Sequence, residues 1–329
     1  DGHHEGGPVA NVDGVPAPTE VAATLPLELQ VGQPLGRGTS GEVSPLLQAI
    51  DGGRYVVKEV PVKRVEGGGA AESAVDVDSL VHEVRLHRLC SAHCSTVVRY
   101  TFSYLTGATL LVVMEACDSI LWDVLLGDQA AWSRLVPGDA PGTADRTRLM
   151  PEEGVSISEE LSGALRHCHN LRVMHRDVNP WNVFLVRNEG GATRCAQRQL
   201  SVRLGDFGLA AQLPVGVETL EGVDAVGAVS LDESALDSLY SAPELGQVYG
   251  LKADVFSLGM TLLAVWACVG HGWDEDALTD AVVAAKAAAG EGPLATPDPG
   301  GALGAPGHPD QAMRALILHT LSGVPGARP

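Results

Sequence analysis

The chain has 329 residues, 45% of them hydrophobic, and a formal net charge of -19 from 22 basic and 41 acidic side chains. That apolar content supports a core larger than a single small domain needs, while the acidic excess argues against a general surface for nucleic acid or anionic lipid, which requires clustered Lys and Arg. Six scattered cysteines in a chain this long read as free thiols of a reducing compartment, cytoplasmic or nuclear, rather than as staples.

Residues 1–26 are rich in Gly, Pro, Ala and acids without a hydrophobic period and predict a flexible lead-in. From residue 27 onward, short β-favouring runs at Leu27–Val31 and Tyr55–Val60 are broken by glycines, as twisted antiparallel strands require. Between them stands Leu35-Gly36-Arg37-Gly38-Thr39-Ser40-Gly41-Glu42-Val43, whose glycines let backbone amides approach a phosphate closely. The same spacing occurs where a helix opens on a dinucleotide. Here Val43 and Pro45 predict a strand instead, which turns the reading away from hydride transfer. After the loop Glu66–Ala70, Leu80, Val81, Val84 and Leu89 follow a helical period over Asp78–Leu89, which carries Glu83. Composition alone leaves that glutamate on the surface. Cys90-Ser91-Ala92-His93-Cys94 lacks a second ligand pair at zinc-like spacing and reads as apolar packing. Leu110–Met114 predicts a buried strand, in which Met114 is by default a core residue.

A helix is predicted over Ile120–Ala131, an exposed Pro/Gly-rich insertion over Val136–Met150, and a second helix over Pro151–Leu171. With no acid partner evident, His167 and His169 on that helix read as packing or capping residues. His175-Arg176-Asp177-Val178-Asn179-Pro180-Trp181-Asn182 then feeds the apolar run Val183–Val186, setting a carboxylate and a carboxamide five positions apart in one loop. Phosphoryl transfer to a hydroxyl needs that pair, one to accept the proton and one to hold a metal ion. A hairpin is predicted between Leu185 and Leu204, followed by Asp206-Phe207-Gly208 and, later, Ala242-Pro243-Glu244. The near-apolar run Val255–Gly270 is shorter than the ~20 residues that span a bilayer and reads as a core helix. An alanine-rich helix over Asp276–Ala289, a loop over Gly290–Pro309 and a helix near Gln311–Leu321 close the chain, which reads as a fragment without a secretory signal.

In this order, the glycine loop, Val56-Val57-Lys58, the loop around Asp177, Asp206-Phe207-Gly208, Ala242-Pro243-Glu244 and Asp254–Gly259 resemble the eukaryotic-type protein kinases of the Ser/Thr class. Within that class the chain is weakly similar to the NIMA-related and translation-initiation kinases. The resemblance implies a two-lobed α+β fold: an antiparallel upper lobe over residues 27–115, a hinge at 115–118, and a mainly helical lower lobe over 119–329, ending before the family's last helix. It implies ATP and Mg2+ as cofactors and a protein as substrate, with no nucleic acid or membrane. Leu35, Gly36, Gly38, Gly41, Val43 and Val56 would enclose the nucleotide, with Met114 at the rear of the adenine pocket and Glu115 and Cys117 at the hinge. Lys58, paired with Glu83, would contact the phosphates. Asp177 would orient the acceptor hydroxyl, and Asn182 with Asp206 would hold the metal. Arg328 resembles the family arginine that pairs with Glu244.

Two departures stand out. Where the family has a Lys two positions beyond the catalytic Asp, and a Thr seven before the Glu of Ala-Pro-Glu, this chain has Asn179 and Asp237. The first cannot supply positive charge, and the second would repel the same anion, so restoring Lys and Thr together is expected to speed the chemical step. Trp181 stands where the family prefers small or charged residues. The expectation is therefore a Ser/Thr kinase, with an ATP-binding pseudokinase or weakly active scaffold as the alternative. In the family, the residue at Arg176 binds a phosphate on the activation segment, for which Thr219, Ser230, Ser234 and Ser238 are the candidates.

Overall fold

The computed structural model describes residues 31–38, 41–47, 51–62, 77–136, 147–188, 200–221, 239–270, 275–290, 317, 319–321 and 328. The loop at residues 66–70, the loop expected over 290–309 apart from its first residue, and most of the expected helix near Gln311–Leu321 lie outside them.

The upper lobe is one five-stranded antiparallel sheet in the order β1-β2-β3-β5-β4, built from β1 (Gly36–Gly38), β2 (Gly41–Pro45), β3 (Tyr55–Pro61), β4 (Tyr100–Thr106) and β5 (Thr109–Glu115). The first two strands form a hairpin in which Gly38 faces Gly41 and Gly36 faces Val43. A Cβ at Gly41 would collide with the Glu59 carbonyl of β3, so this glycine is required by strand packing, whereas a Cβ at Gly36 would meet open space. One long helix, α1 (Val77–Ser91), buries Leu80, Leu86, His87 and Cys90 and turns Glu83 inward rather than to the surface.

The lower lobe is organised around α5 (Leu251–Cys268), 83% buried. This burial is why a helix apolar enough to cross a membrane is here the centre of a core. Packed on it is α4 (Pro151–Asn170), and α6 (Glu275–Gly290) flanks it. Where one helix over Ile120–Ala131 was expected, the chain makes the strand β6 (Ser119–Ile120) and two short helices, α2 (Leu121–Leu125) and α3 (Gln129–Leu135). The break has a local cause: Gly127 sits at φ 74°, and the Asp128 carboxylate caps the next helix by accepting from the Ala131 N–H at 2.7 Å. Apolar periodicity runs through this stop without registering it.

Short strands finish the lobe: β7 (Val173–Met174), β8 (Val183–Arg187), β9 (Leu200–Leu204), β10 (Ala211–Gln212), β11 (Thr219–Glu221) and β12 (Val248–Gly250). The hairpin expected between Leu185 and Leu204 is the antiparallel pair β8 and β9. The lobes meet where Val98 N–H donates to Leu204 O at 2.9 Å and Leu204 N–H to Thr96 O at 2.8 Å, so the strand leading into Asp206 is stitched to the chain leaving α1.

Candidate active site

The loop from His175 to Asn182 hangs on a single buried side chain. Asp254, in the first turn of α5, accepts the backbone N–H of His175 at 2.8 Å and of Arg176 at 2.7 Å, and the Nε2–H of His169 at 2.9 Å. Burial works against its charge, but the His169 bond prevails and holds the carboxyl below its ordinary value. His169 thus has an acid partner that its sequence neighbourhood did not disclose. The double grip also accounts for Arg176, which is at φ 64° in a region non-glycine residues avoid. Thr261, on the same helix, donates to Val178 O at 3.4 Å.

Within that loop both oxygens of Asp177 are occupied. Asn179 Nδ2 donates to Oδ1 at 2.7 Å and Asn182 Nδ2 to Oδ2 at 2.6 Å. Burial raises the Asp177 carboxyl above its ordinary value, and the charge of Asp206 adds to that, while the two carboxamide bonds pull it down. Asn179 does more than touch Asp177: its Oδ1 accepts the backbone N–H of Trp181 at 3.0 Å and of Asn182 at 3.1 Å. One carboxamide therefore closes the turn with its oxygen and steadies the carboxylate with its nitrogen.

Lys58 on β3 links the lobes electrostatically. Its Nζ is 2.9 Å from Glu83 Oε1 and 3.5 Å from Asp206 Oδ1, three residues brought together from positions far apart in the chain. Burial pulls the ammonium down, but Asp206 and Glu83 outweigh it and hold Lys58 above its ordinary value. In turn, the charge of Lys58 holds Asp206 below the usual carboxylate range. Asp206 sits at φ 58°, accepts the Gly208 N–H at 3.1 Å, and keeps 40% of its side chain open. Below it Phe207 is buried and stacked on His87 of α1 at 5.3 Å, with His175 tilted against it at 4.9 Å and Tyr100 edge-on to His87 at 5.9 Å. Burial pushes His87 down to about 4, so it stacks as a neutral ring and its Nε2 meets Val98 O at 2.7 Å. This column couples the position of Asp206 to that of α1 and hence of Glu83.

At the rear, Met114 faces Val56 across β3 and β5. Glu115 leaves β5 with its Oε1 accepting the Arg99 N–H at 2.7 Å, and burial pushes the Cys117 thiol up to about 12. Val43 stands opposite Lys58 on β2, and Leu35 is 67% exposed at the mouth. Gly38 pairs with Gly41 at the tip of the hairpin, and Thr39 and Ser40 lie outside the described residues. Among the described residues no group of His, Cys, Asp or Glu could hold a metal ion by itself, Cys90–Cys94 included. The oxygen donors of Asp206 and Asn182, with Lys58 alongside, do fit a hard cation held jointly with phosphate oxygens, and the open space at Gly36 fits phosphates approaching backbone.

Comparison with known proteins agrees with this geometry. The family model for the protein kinase domain matches residues 29–276. The chain belongs to the protein kinase family. Among curated kinases, rhodopsin kinase GRK1 of Rattus norvegicus is 26% identical over 239 residues, covering 72% of this chain and 35% of that protein. Serine/threonine-protein kinase Nek1 of Mus musculus is 25% identical over 233 residues, covering 70% of this chain and 16% of that protein. Calcium-dependent protein kinase 15 of Oryza sativa subsp. japonica is 25% identical over 257 residues, covering 77% and 39%. The chain thus spans well under half the length of each of these relatives.

Within this kinase domain the two departures take different forms. Asp237 lies outside the described residues, as do Ser230, Ser234 and Ser238. Asn179 is described, and it is structural. A lysine there would forfeit the oxygen that accepts two backbone N–H groups: Trp181 N–H would lose that partner, at about 1 kcal/mol, and Asn182 N–H would keep only the Asn179 main-chain O at 3.1 Å, while Asp177 would lose the Asn179 Nδ2 bond. Asn179→Lys by itself, without the partner change at Asp237, should therefore lower turnover by about tenfold and lower the melting temperature; a faster enzyme would show that the carboxamide network carries no weight.

Arg176 is engaged within the domain. Its side chain is buried, with Nε donating to Leu209 O and Nη1 to the Tyr249 hydroxyl at 3.0 Å. Tyr249 lies on β12, which pairs with β11 at the start of the activation segment, and Arg172 donates to the carbonyls of Leu213, Pro214 and Val217 just upstream. The protein's own hydroxyl and carbonyls thus engage Arg176 Nε and Nη1, and Arg172, without a phosphate. Protein stripped by phosphatase, with mass spectrometry confirming no phosphate, should keep most of its activity, and Tyr249→Phe should lose about tenfold because a hydrogen bond to a charged group is worth about 1.5–3 kcal/mol. Inactivity of the stripped protein would return the role to a phosphate. Finally, Arg328 Nη2 is 3.1 Å from Glu244 Oε2, with Nη1 on Oε1, joining the end of the described chain to Ala242-Pro243-Glu244.

Proposed function

We propose that the chain is the catalytic domain of a serine/threonine protein kinase that transfers the γ-phosphoryl group of ATP, with Mg2+, to hydroxyls of protein substrates. One observation carries this: Lys58 lies 2.9 Å from Glu83 and 3.5 Å from Asp206 while Phe207 is buried beneath them, which supports phosphate binding there. MgATP, when bound, supplies the phosphoryl group and neutralises the charge that moves with it. Lys58 would hold the α and β phosphates, and Asp206 and Asn182 would hold the metal. Asp177 would orient the acceptor hydroxyl and take its proton, its two oxygens kept in place by Asn179 and Asn182. The relatives named serine/threonine kinases support that acceptor class. The free thiols of Cys90, Cys94, Cys117, Cys168 and Cys268 support work in a reducing, intracellular compartment.

The test is transfer of labelled phosphate from MgATP to a generic protein acceptor by purified chain, with nucleotide binding read in parallel. Incorporation into Ser or Thr is expected. Tight binding without transfer would favour the pseudokinase alternative, and phosphotyrosine as the product would replace the acceptor class.

A further inference from the structure

Four residues beyond Asp177, Trp181 keeps 44% of its surface exposed. A tryptophan that served only to anchor its loop would be buried. Instead, one face of the indole lies on Trp122 at 4.2 Å and 30°, the Tyr240 ring stands nearly perpendicular to it with centroids 5.7 Å apart at 84°, and both of those partners are themselves buried. The backbone beneath is equally fixed: Trp181 N–H donates to Asn179 at 3.0 Å, and Trp122 N–H donates to Pro180 O at 3.2 Å. The indole is therefore a rigid aromatic surface open to solvent. Its loop position is tied to the catalytic carboxylate through one shared carboxamide, since Asn179 also donates to Asp177 at 2.7 Å.

We infer that Trp181 is a specificity-determining residue, offering an apolar platform to a bulky hydrophobic side chain of the protein substrate close to the phosphorylated hydroxyl. The inference rests on the function proposed above and adds a substrate class to it. An acceptor with its hydroxyl at Asp177 must lay its flanking residues over the surface around that carboxylate. Extended chain advances about 3.3 Å per residue, and the four-residue path from Asp177 to Trp181 spans at most about 13 Å, so the platform lies within reach of roughly the third neighbour of the acceptor. Because Trp122 and Tyr240 already hold the ring, covering its exposed part orders nothing new, the condition under which apolar contact is retained as selectivity. The platform joins residues from α2, the catalytic loop and the stretch just before Ser241-Ala242-Pro243-Glu244.

The experiment uses the whole chain and a series of single-serine peptides on an Ala/Gly background, with Phe, Leu, Ala, Arg or Glu placed at each of three positions on either side. A preference of about tenfold in kcat/KM for Phe or Leu over Ala is expected at one or two of those positions. Trp181→Ala should bring that ratio close to one while Ala-flanked peptides keep their rate, and Trp181→Phe should restore part of it. A structural role alone would depress all peptides equally and leave the ratio where it was, which would overturn the inference, as would preference for Arg or Glu at every position. If no acceptor at all is phosphorylated, the kinase reading fails, and the platform is judged separately by anisotropy of labelled Phe-flanked and Ala-flanked peptides with magnesium and a non-hydrolysable ATP analogue. Tighter binding of the Phe peptide that vanishes in Trp181→Ala sustains the platform, and equal binding removes it.

Discussion

Lys58→Met is expected to reduce phosphoryl transfer by roughly a thousandfold, the scale on which removal of a fixed charge from the transferring phosphate acts. Methionine keeps most of the stem and its burial against the sheet, so what is lost is the charge that serves Glu83 at 2.9 Å and Asp206 at 3.5 Å at once. The structure adds a cost, because only 14% of the Glu83 side chain is exposed and its carboxylate would be left facing an apolar wall. The cost of that lost partner is about 1–3 kcal/mol. At about 2–4 °C per kcal/mol in a chain of this size, the melting temperature should fall by several degrees. It should also stop rising when MgATP is added, since a ligand that no longer binds the folded state cannot stabilise it. A transfer assay and thermal melts with and without MgATP read both effects, and transfer at the parental rate would remove Lys58 from the phosphate site.

Asp177→Asn should leave nucleotide affinity nearly unchanged and lower kcat by about a hundredfold to ten thousandfold, the range for loss of a positioned base. The substitution is close in shape but wrong in hydrogen bonding. Both oxygens of the native carboxylate receive an amide N–H, from Asn179 at 2.7 Å and Asn182 at 2.6 Å. An asparagine offers one oxygen and one NH2, so one of the two neighbours would face a second donor. The pH profile gives a further readout. Burial raises the Asp177 carboxyl, and the deprotonated form is the active one, so the acidic limb of the parental rate should lie above the range of an exposed aspartate and decline as pH falls through it. The variant should lose that limb. Parental kcat in Asp177→Asn would mean that another group takes the proton.

How far the chain could be read in advance follows from where each determinant sits. The loop from His175 to Asn182 was legible because its chemistry is local: a carboxylate and a carboxamide five positions apart share a site through the backbone that joins them. The strand after Gly41 was legible for the same kind of reason, since Val43 and Pro45 oppose a helix whatever packs on them. Asp254 was not. It stands 79 positions from His175, and although Asp254–Gly259 resembles the family's buried helix, neither that resemblance nor the carboxylate near the head of a mostly apolar run says which backbone groups it will hold. The same holds for His169, whose acid partner arrives from α5.

Sequence by itself determined the class of the fold, the order of its parts and the residue types of its chemistry, because glycine conformation, strand and helix periodicity and motif spacing are properties of short stretches. Only the tertiary structure decided what those residues do for one another. Asn179 reads along the chain as a missing charge, and in the fold it is a bracket that accepts from Trp181 and Asn182 and donates to Asp177. Arg176 reads along the chain only as the neighbour of Asp177, and in the fold it ties the loop to Leu209 and Tyr249. Trp181 reads as an oddity, and in the fold it becomes an exposed surface stacked on Trp122. The physical reason is one of range: propensity acts over a few residues, whereas a donor's use is settled by whichever acceptor the packed core brings within about 3 Å of it.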